Sequence, residues 1–306
     1  MLAPYIQAML SGLAVGGIYA LIALSFSITF TTTNTLNFSQ GEFVSFGAFV
    51  GITVLLVLSG ATSLSAIPLT ASAGLNYPIV VAVAGVVSGL VGIVIFVTAV
   101  RPFAGKPGMS WVMSTIGFGI LLQNVGLLVW GPAPTNLPPP LGDEVIRVFG
   151  AGVRPQEILD LAAAIIIMLA FDILMRKTTL GKAMRAVAHS PQTASLMGIN
   201  VQAMMIGAFA ASSALAGIAG VLIAPVSTAS LFMGLGFALK AFAGAIIGGL
   251  SNARGCIFGG FALGVIESYV GLWRAEWREI AIFVLIIIVL AIKPNGLFGG
   301  RLAEKV

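Results

Sequence analysis

The side chains in this sequence that could do chemistry are few, and one short polar stretch holds several of them. It is the segment Asn37–Glu42, which reads Asn-Phe-Ser-Gln-Gly-Glu and separates the long apolar runs 5–30 and 43–58. A carboxylate close to lipid depth is unfavourable unless it faces protein, water or a solute. The segment is therefore the first candidate for a functional site.

Two further charged residues fall inside apolar stretches. Glu267 lies in the middle of its stretch and is a candidate for a buried charge. Lys240 lies near the end of its own stretch, where it can pair with Glu267 or extend its amine to the membrane surface. The lone Cys256 excludes an internal disulfide, and the sequence has no cluster of cysteine and histidine that would predict a metal site.

The composition predicts that these residues are positioned by helices in a membrane. Of the 306 residues, 58% are hydrophobic and 8% are charged, whereas a soluble domain carries about 25% charged residues. Long apolar runs indicate helices rather than a β-barrel. We therefore predict an all-α polytopic membrane protein, with residues 1–306 as a single transmembrane domain. The net charge is +5, but the basic residues lie in short loops, which indicates membrane orientation and not nucleic-acid binding.

Hydropathy predicts about eight or nine membrane-spanning helices. The segments 235–252 and 256–273 form either a full hairpin or a hairpin that includes a half-span. The N-terminus is external with nine spans and cytoplasmic with eight. The predicted spans are residues 5–31, 42–59, 78–100, 110–130, 157–175, 203–224, 235–252, 256–273 and 279–292.

Positive charge predicts which loops face the cytoplasm, because cytoplasmic loops of membrane proteins are enriched in lysine and arginine. By this rule the loops 60–77 and 131–156 are external. The basic residues of the three predicted cytoplasmic regions are Arg101 and Lys106; Arg176, Lys177, Lys182 and Arg185; and Lys293, Arg301 and Lys305.

The segment 176–202 is the only sizeable loop among those predicted to be cytoplasmic. Ser190 followed by Pro191 is a favourable helix start, and Gly198 is a favourable helix stop, so we predict a helix over residues 191–197. A second helix is predicted before it, with Ala183, Ala186 and Val187 on one face. Such a loop can act as a lid at the membrane surface or as a knob that docks into a soluble partner.

Five blocks of residues, in order along nearly the whole chain, carry a resemblance to a known family. The blocks are Tyr19-Ala20-Leu21 with Asn37-Phe38-x-x-Gly41-Glu42; Thr115-Ile116-Gly117 with Gln123-Asn124 and Trp130-Gly131; Gly181–Asn200; Gly244-Ala245-x-x-Gly248-Gly249-Leu250 with Gly255, Gly259-Gly260 and Glu267; and Pro294-x-Gly296-Leu297-Phe298-Gly299. Together they resemble the H-type inner-membrane permease of branched-chain amino-acid ABC importers. The chain departs from the family pattern at Ser39-Gln40, where an Ala-His pair is usual.

The resemblance implies a fold similar to the vitamin-importer type of ABC membrane domain, in the bacterial inner membrane. It implies no catalytic residue and no cofactor bound by this chain, and the sequence has no Gly-x-x-x-x-Gly-Lys-Ser/Thr phosphate loop. The implied partners are a second homologous permease, two cytoplasmic ATPase subunits that use ATP, and a periplasmic substrate-binding protein. Branched-chain amino acids are the implied substrate. Urea or short amides are the alternative, and a self-contained secondary transporter is the rival class.

The resemblance also implies roles for particular residues. Gln123 and Asn124 are neighbours about 100° apart on a helix, so one of them can bond a neighbouring helix instead of lining a path. Glu42 can line the path, cap the N-terminus of the second span or pair with a cation. The candidates for the substrate path are Asn37, Ser39, Gln40, Glu42, Gln123 and Asn124, and those for ATPase coupling are Arg185, Ala186, Pro191, Ala194, Gly198 and Ile199.

Overall fold

The computed structural model describes residues 3–60, 72–103, 110–142, 144–148 and 150–299. Within these ranges the chain forms eleven α-helices and one two-stranded hairpin. The elements are α1 Ala3–Thr33, α2 Gln40–Ser59, α3 Ser72–Ile95, α4 Ser110–Trp130, β1 Ile146–Val148, β2 Ala151–Val153, α5 Pro155–Lys177, α6 Thr179–His189, α7 Pro191–Leu196, α8 Val201–Ile223, α9 Met233–Gly248, α10 Ala253–Trp273 and α11 Trp277–Ile292.

The predicted all-α membrane fold is confirmed. Seven helices of the described part are long and apolar enough to cross a membrane, namely α1 to α5, α8 and α10. The helices α9 and α11 have 16 residues each, or about 24 Å, against roughly 30 Å for the hydrocarbon core of a bilayer. Each of the nine predicted segments therefore has a helix, but two of these helices are short.

The helix α1 is the centre of the bundle, and it is buried along most of its length. It packs antiparallel to α10 through facing glycines: a Cβ atom on Gly16 would lie 3.0 Å from the Phe261 carbonyl oxygen, and one on Gly12 would lie 2.9 Å from the Val265 Cα atom. Small residues let membrane helices approach this closely. Any side chain at either glycine would push α1 and α10 apart.

The two ends of α1 identify two faces of the bundle. Its C-terminal residues share a cavity with Arg176, Arg185 and Arg254, and the Arg101 guanidinium lies beside the Gln202 amide at the start of α8, on the same face. Its N-terminus lies against the hairpin of the predicted external loop. The N-terminus therefore lies on the face opposite the basic loops. This is the external side, which was predicted for nine spans. Three of the basic residues predicted to be cytoplasmic lie outside the described residues, namely Lys106, Arg301 and Lys305.

The helices α2 and α9 both begin inside the bundle, and their N-terminal ends meet. The Gly234 amide of α9 donates a hydrogen bond to the Ser45 hydroxyl of α2 at 2.9 Å. A Cβ atom on Gly41 would lie 2.8 Å from the Gly234 carbonyl oxygen. Before α9, residues 224–232 return from the end of α8 into the bundle. The sequence left open whether residues 235–252 form a full span or a half-span. The structure has a short helix there, α9, which crosses only part of the bundle.

The end of α9 is determined by its last turn and by the start of α10. Gly249 follows α9 with a φ angle of +98°, a left-handed conformation that residues with a side chain rarely adopt. The Asn252 side chain then accepts hydrogen bonds from the amides of Arg254 and Gly255 at 3.1 and 3.3 Å. This N-cap starts α10, so the helix predicted to reach residue 252 stops at Gly248.

Both helices predicted in the loop 176–202 are present as α6 and α7. The Ser190 hydroxyl accepts a hydrogen bond from the Thr193 amide at 3.3 Å, and Gly198 has a φ angle of +81°. The predicted face of α6 is only partly right. Its buried residues are Gly181, Met184 and Val187, because the helix packs against the end of α5 and not through its two alanines.

Candidate functional site

The segment Asn37–Glu42 lies at about half the depth of the bundle. The Gln40 side chain contacts Ser212, which is at the middle of α8. A Cβ atom on Gly119, at the middle of α4, would lie 3.1 Å from the Ser39 Cβ atom and 3.3 Å from the Glu42 Cγ atom. The segment is therefore level with the middle of two membrane-spanning helices, α4 and α8, whereas the sequence placed it only between two apolar runs.

Gln40 is the centre of a buried hydrogen-bond network. Its Nε2 atom donates to the Ser25 hydroxyl at 2.7 Å and to the Ser212 carbonyl oxygen at 3.0 Å. Its Oε1 atom accepts from the Ser212 hydroxyl at 3.2 Å and from Asn37 Nδ2 at 3.1 Å. An amide side chain has two donors and two acceptor lone pairs, so Gln40 is fully satisfied.

This network joins three helices and also positions the turn before α2. The Asn37 Oδ1 atom accepts from the Ser39 hydroxyl at 2.6 Å, and Asn37, Ser39 and Gln40 have no exposed surface. In this conformation Gln40 links α2 to α1 and α8, while Asn37 and Ser39 hold the turn before α2. The polar atoms of the three side chains are used within this network.

Glu42 differs from its neighbours because its side chain is partly exposed. It lies in the first turn of α2, where the helix dipole favours a carboxylate. Among the described residues no cation and no hydrogen-bond donor pairs with it. The exposed apolar side chains Phe38, Phe232 and Leu235 belong to the same two helix starts. These three side chains and Glu42 are here called the α2–α9 surface, which carries one carboxylate.

Gln123 and Asn124 point in different directions. Gln123 Nε2 donates to the Leu231 carbonyl oxygen at 3.2 Å, which links α4 to the segment that leads into α9. Asn124 Nδ2 donates to the Ile120 carbonyl oxygen in its own helix at 2.7 Å. Gln123 thus links α4 to the segment before α9, whereas the Asn124 amide group bonds within its own helix.

Lys240 and Glu267 form an ion pair between α9 and α10, one of the pairings considered from the sequence. The Lys240 Nζ atom lies 2.6 Å from Glu267 Oε1, and the Tyr19 hydroxyl donates to Glu267 Oε2 at 2.7 Å. The sequence reasoning missed Tyr19. The available signal was a phenol inside the apolar helix α1, since a buried tyrosine hydroxyl usually finds a partner.

The coupling candidates divide into buried and exposed residues. Ala194 is buried, whereas Arg185 is exposed and Ala186 is partly exposed. The residues with the largest apolar exposure in this loop are Leu196 and Met197, whose exposed fractions are 87% and 78%. Sequence reasoning missed both because it weighed helix caps and not the outward face of α7. These two exposed apolar side chains make α7 a candidate contact surface for a partner.

Comparison with known proteins gives a consistent family assignment. A family model described as the permease component of branched-chain amino acid transport systems matches residues 8–290. The chain is 30% identical to the high-affinity branched-chain amino acid transport system permease protein BraD of Pseudomonas aeruginosa over 312 residues, covering 99% of this chain and 98% of BraD. It is 29% identical over 308 residues to the corresponding protein LivH of Escherichia coli, with the same coverage.

More distant similarity extends to sugar transport. The ribose import permease protein RbsC of Escherichia coli is 24% identical over 284 residues, covering 86% of this chain and 85% of RbsC. No solved structure matches the chain significantly. These relatives are permeases and not enzymes, which confirms the expectation that the chain is no enzyme, and the seven apolar spans agree with a multi-pass protein of the bacterial inner membrane. The chain belongs to the family of permease components of branched-chain amino acid transport systems.

Proposed function

We propose that the chain forms one half of the pathway for branched-chain, hydrophobic amino acids in an ATP-driven importer. A second homologous permease completes the pathway, a periplasmic binding protein delivers the substrate, and two cytoplasmic ATPase subunits use the ATP. The chain itself binds no cofactor. The proposal is supported by the family, by the printed descriptions of BraD and LivH, and above all by the α2–α9 surface.

The α2–α9 surface offers the three kinds of contact that such a substrate needs. Helix N-termini carry partial positive charge and favour a carboxylate, and helices that begin within the membrane present such ends to substrates in transporters. The Glu42 carboxylate is suited to an ammonium group. Phe38, Phe232 and Leu235 are exposed and suited to an aliphatic side chain. Because this surface is open in the single chain, a second permease is needed to enclose it.

The coupling part of the proposal rests on α7. Its helix is short and capped, and it ends in the exposed pair Leu196 and Met197. The start of α8 follows directly at Val201. A rigid shift of α7 would therefore move α8, and with it the Ser212 contact that holds Gln40. ATP-driven closure of the ATPase subunits would reach the α2–α9 surface by this route.

Substitution of Glu42 by glutamine is expected to reduce leucine uptake at least tenfold, because the amide keeps the size of the side chain but loses the charge proposed to face the ammonium group. The measurement is uptake of radiolabelled leucine by proteoliposomes that contain the complete complex and ATP. Glu144→Gln, in the external segment, is the matched control and should behave as wild type. Normal uptake by the Glu42 variant in an intact complex would disprove its role in the path. Uptake without ATP, driven by an ion gradient, would instead indicate a secondary transporter.

Substitution of Leu196 by glutamate is expected to uncouple the complex without unfolding the permease. A charge at a side chain that is 87% exposed does not disturb the bundle but opposes docking of an apolar surface. The readout is stimulation of ATPase activity by the loaded binding protein, which should fall at least fivefold. Gln192→Glu adds the same charge to the exposed side of α7 without removing apolar surface and should have a much smaller effect. Equal stimulation in wild type and Leu196→Glu would contradict the docking of α7.

A further inference from the structure

A cavity of about 300 Å³ opens at the basic face of the bundle, where α1, α5, α6 and the start of α10 meet. Its inner wall is largely apolar and includes Leu24, Met168, Phe171 and Ile257. It is separate from the α2–α9 surface, which lies at mid-depth. Nothing in the proposed transport path uses this cavity.

The rim of the cavity carries more positive than negative charge. Asp172 is its one carboxylate, and it pairs with the Arg176 Nε atom at 3.1 Å and with an Arg254 Nη atom at 3.2 Å. Arg185 also lines the cavity and has no ion-pair partner among the described residues. Because each guanidinium has five N–H donors, both paired arginines keep donors that Asp172 does not use.

We propose that this cavity binds the phosphate headgroup of an anionic phospholipid from the cytoplasmic leaflet. Guanidinium groups bind phosphate oxygens through two parallel hydrogen bonds, which a single ammonium group cannot reproduce. The three arginines outnumber the one carboxylate of the cavity, so the site favours an anionic headgroup. Basic pockets between helices at the cytoplasmic side of membrane proteins are suited to such lipids.

The apolar wall favours a lipid over other anions. On α5, Met168 and Phe171 line the cavity, while the adjacent side chains Leu169 and Ile173 are more than half exposed and form the outer face of a membrane-spanning helix. An acyl chain can therefore continue from the cavity along α5. Free phosphate, or an acidic segment of an ATPase subunit, would bind the arginines but leave this apolar wall uncovered.

The test uses the purified complete complex in detergent, with native mass spectrometry to count bound lipid and titration to measure its affinity. Phosphatidylglycerol should bind and be retained, whereas phosphatidylcholine and inorganic phosphate should not. Arg254→Gln should weaken the binding of phosphatidylglycerol about tenfold or more, as expected for the loss of one or two charge-assisted hydrogen bonds. The affinity of Arg254→Lys for phosphatidylglycerol should lie between those of wild type and Arg254→Gln. Lysine keeps the charge but cannot form two parallel hydrogen bonds to the phosphate.

Matched controls separate the possible sources of a signal. Arg274→Gln removes the same charge at the opposite end of α10 and should leave lipid affinity unchanged. In Arg254→Gln, Asp172 still pairs with Arg176 at 3.1 Å, so the variant should keep its unfolding temperature. Equal lipid affinity in wild type and Arg254→Gln would overturn the proposal. Full competition by inorganic phosphate, or lipid binding only after the ATPase subunits are removed, would overturn it as well. Transport activity is not the readout, so failure of the proposed function would not affect the result.

Discussion

Replacing Glu267 by alanine is expected to destabilise the permease by about 3 kcal/mol, because it leaves a cation without a partner inside the bundle. Lys240 Nζ lies 2.6 Å from Glu267 Oε1, and the Tyr19 hydroxyl would lose its acceptor at the same time. Removing one partner of a buried ion pair is much more destabilising than removing both. The measurement is the unfolding midpoint of the purified protein in detergent, by fluorescence or calorimetry.

The double variant Lys240→Met with Glu267→Ala provides the control. It removes both charges, so it should recover much of the loss and be more stable than the single variant. The unfolding midpoint of Glu267→Gln should lie between those of wild type and Glu267→Ala, since the amide oxygen of glutamine can still accept a hydrogen bond from Tyr19. If the single and double variants unfold at the same midpoint, the ion pair does not stabilise the packing of α9 against α10, and the proposed energetic role is wrong.

Replacing Gly220 by alanine is expected to separate α8 from α2 and to reduce the yield of folded protein severely. A Cβ atom at this position would overlap the carbonyl oxygen of Val44. A backbone atom cannot move aside as a flexible side chain can, so the two helices must shift. Overpacking of a close contact typically destabilises by about 1–3 kcal/mol or more, and this contact also supports the Gln40 network. Monodispersity on size exclusion and the unfolding midpoint are the readouts.

Gly207→Ala is a matched control on the same helix. A Cβ atom at Gly207 meets no atom within 4 Å, and alanine favours helix over glycine by up to about 1 kcal/mol. The variant should be as stable as wild type or slightly more stable. If Gly220→Ala folds and unfolds as wild type does, α8 and α2 tolerate wider separation, and glycine is not required at their contact.

Local signals account for the parts of the fold that the sequence predicts well. Hydropathy located a helix for each predicted span, and the capping signals at Ser190 and Gly198 located α7 because they act within a few residues. The hairpin of β1 and β2 was not predicted. Its strands have three residues each, too few for an alternating pattern to stand out from a proline-rich loop.

The sequence located the starts of α2 and α9 closely. It did not predict that the two starts meet inside the bundle, because this depends on contacts between distant segments. Gly41 and Gly234 meet only after the chain has folded, and neither carries a distinctive local signal. In the candidate site, the polar segment itself was identified from its position between apolar runs. Its side-chain directions were not, since Gln40 is satisfied by Ser25 and Ser212 from two other helices. The roles of its residues in transport stay predictions.

The pairing of α1 with α10 has a consequence for how the protein is made. Tyr19 and Glu267 are 248 positions apart, so at about 5–20 residues per second the ribosome takes tens of seconds to supply the partner. During that time the glycine face of α1 and its tyrosine hydroxyl lie in the membrane without their final contacts. The helix α1 is thus completed by a helix that is made much later, and closure of this pair is a late step of assembly.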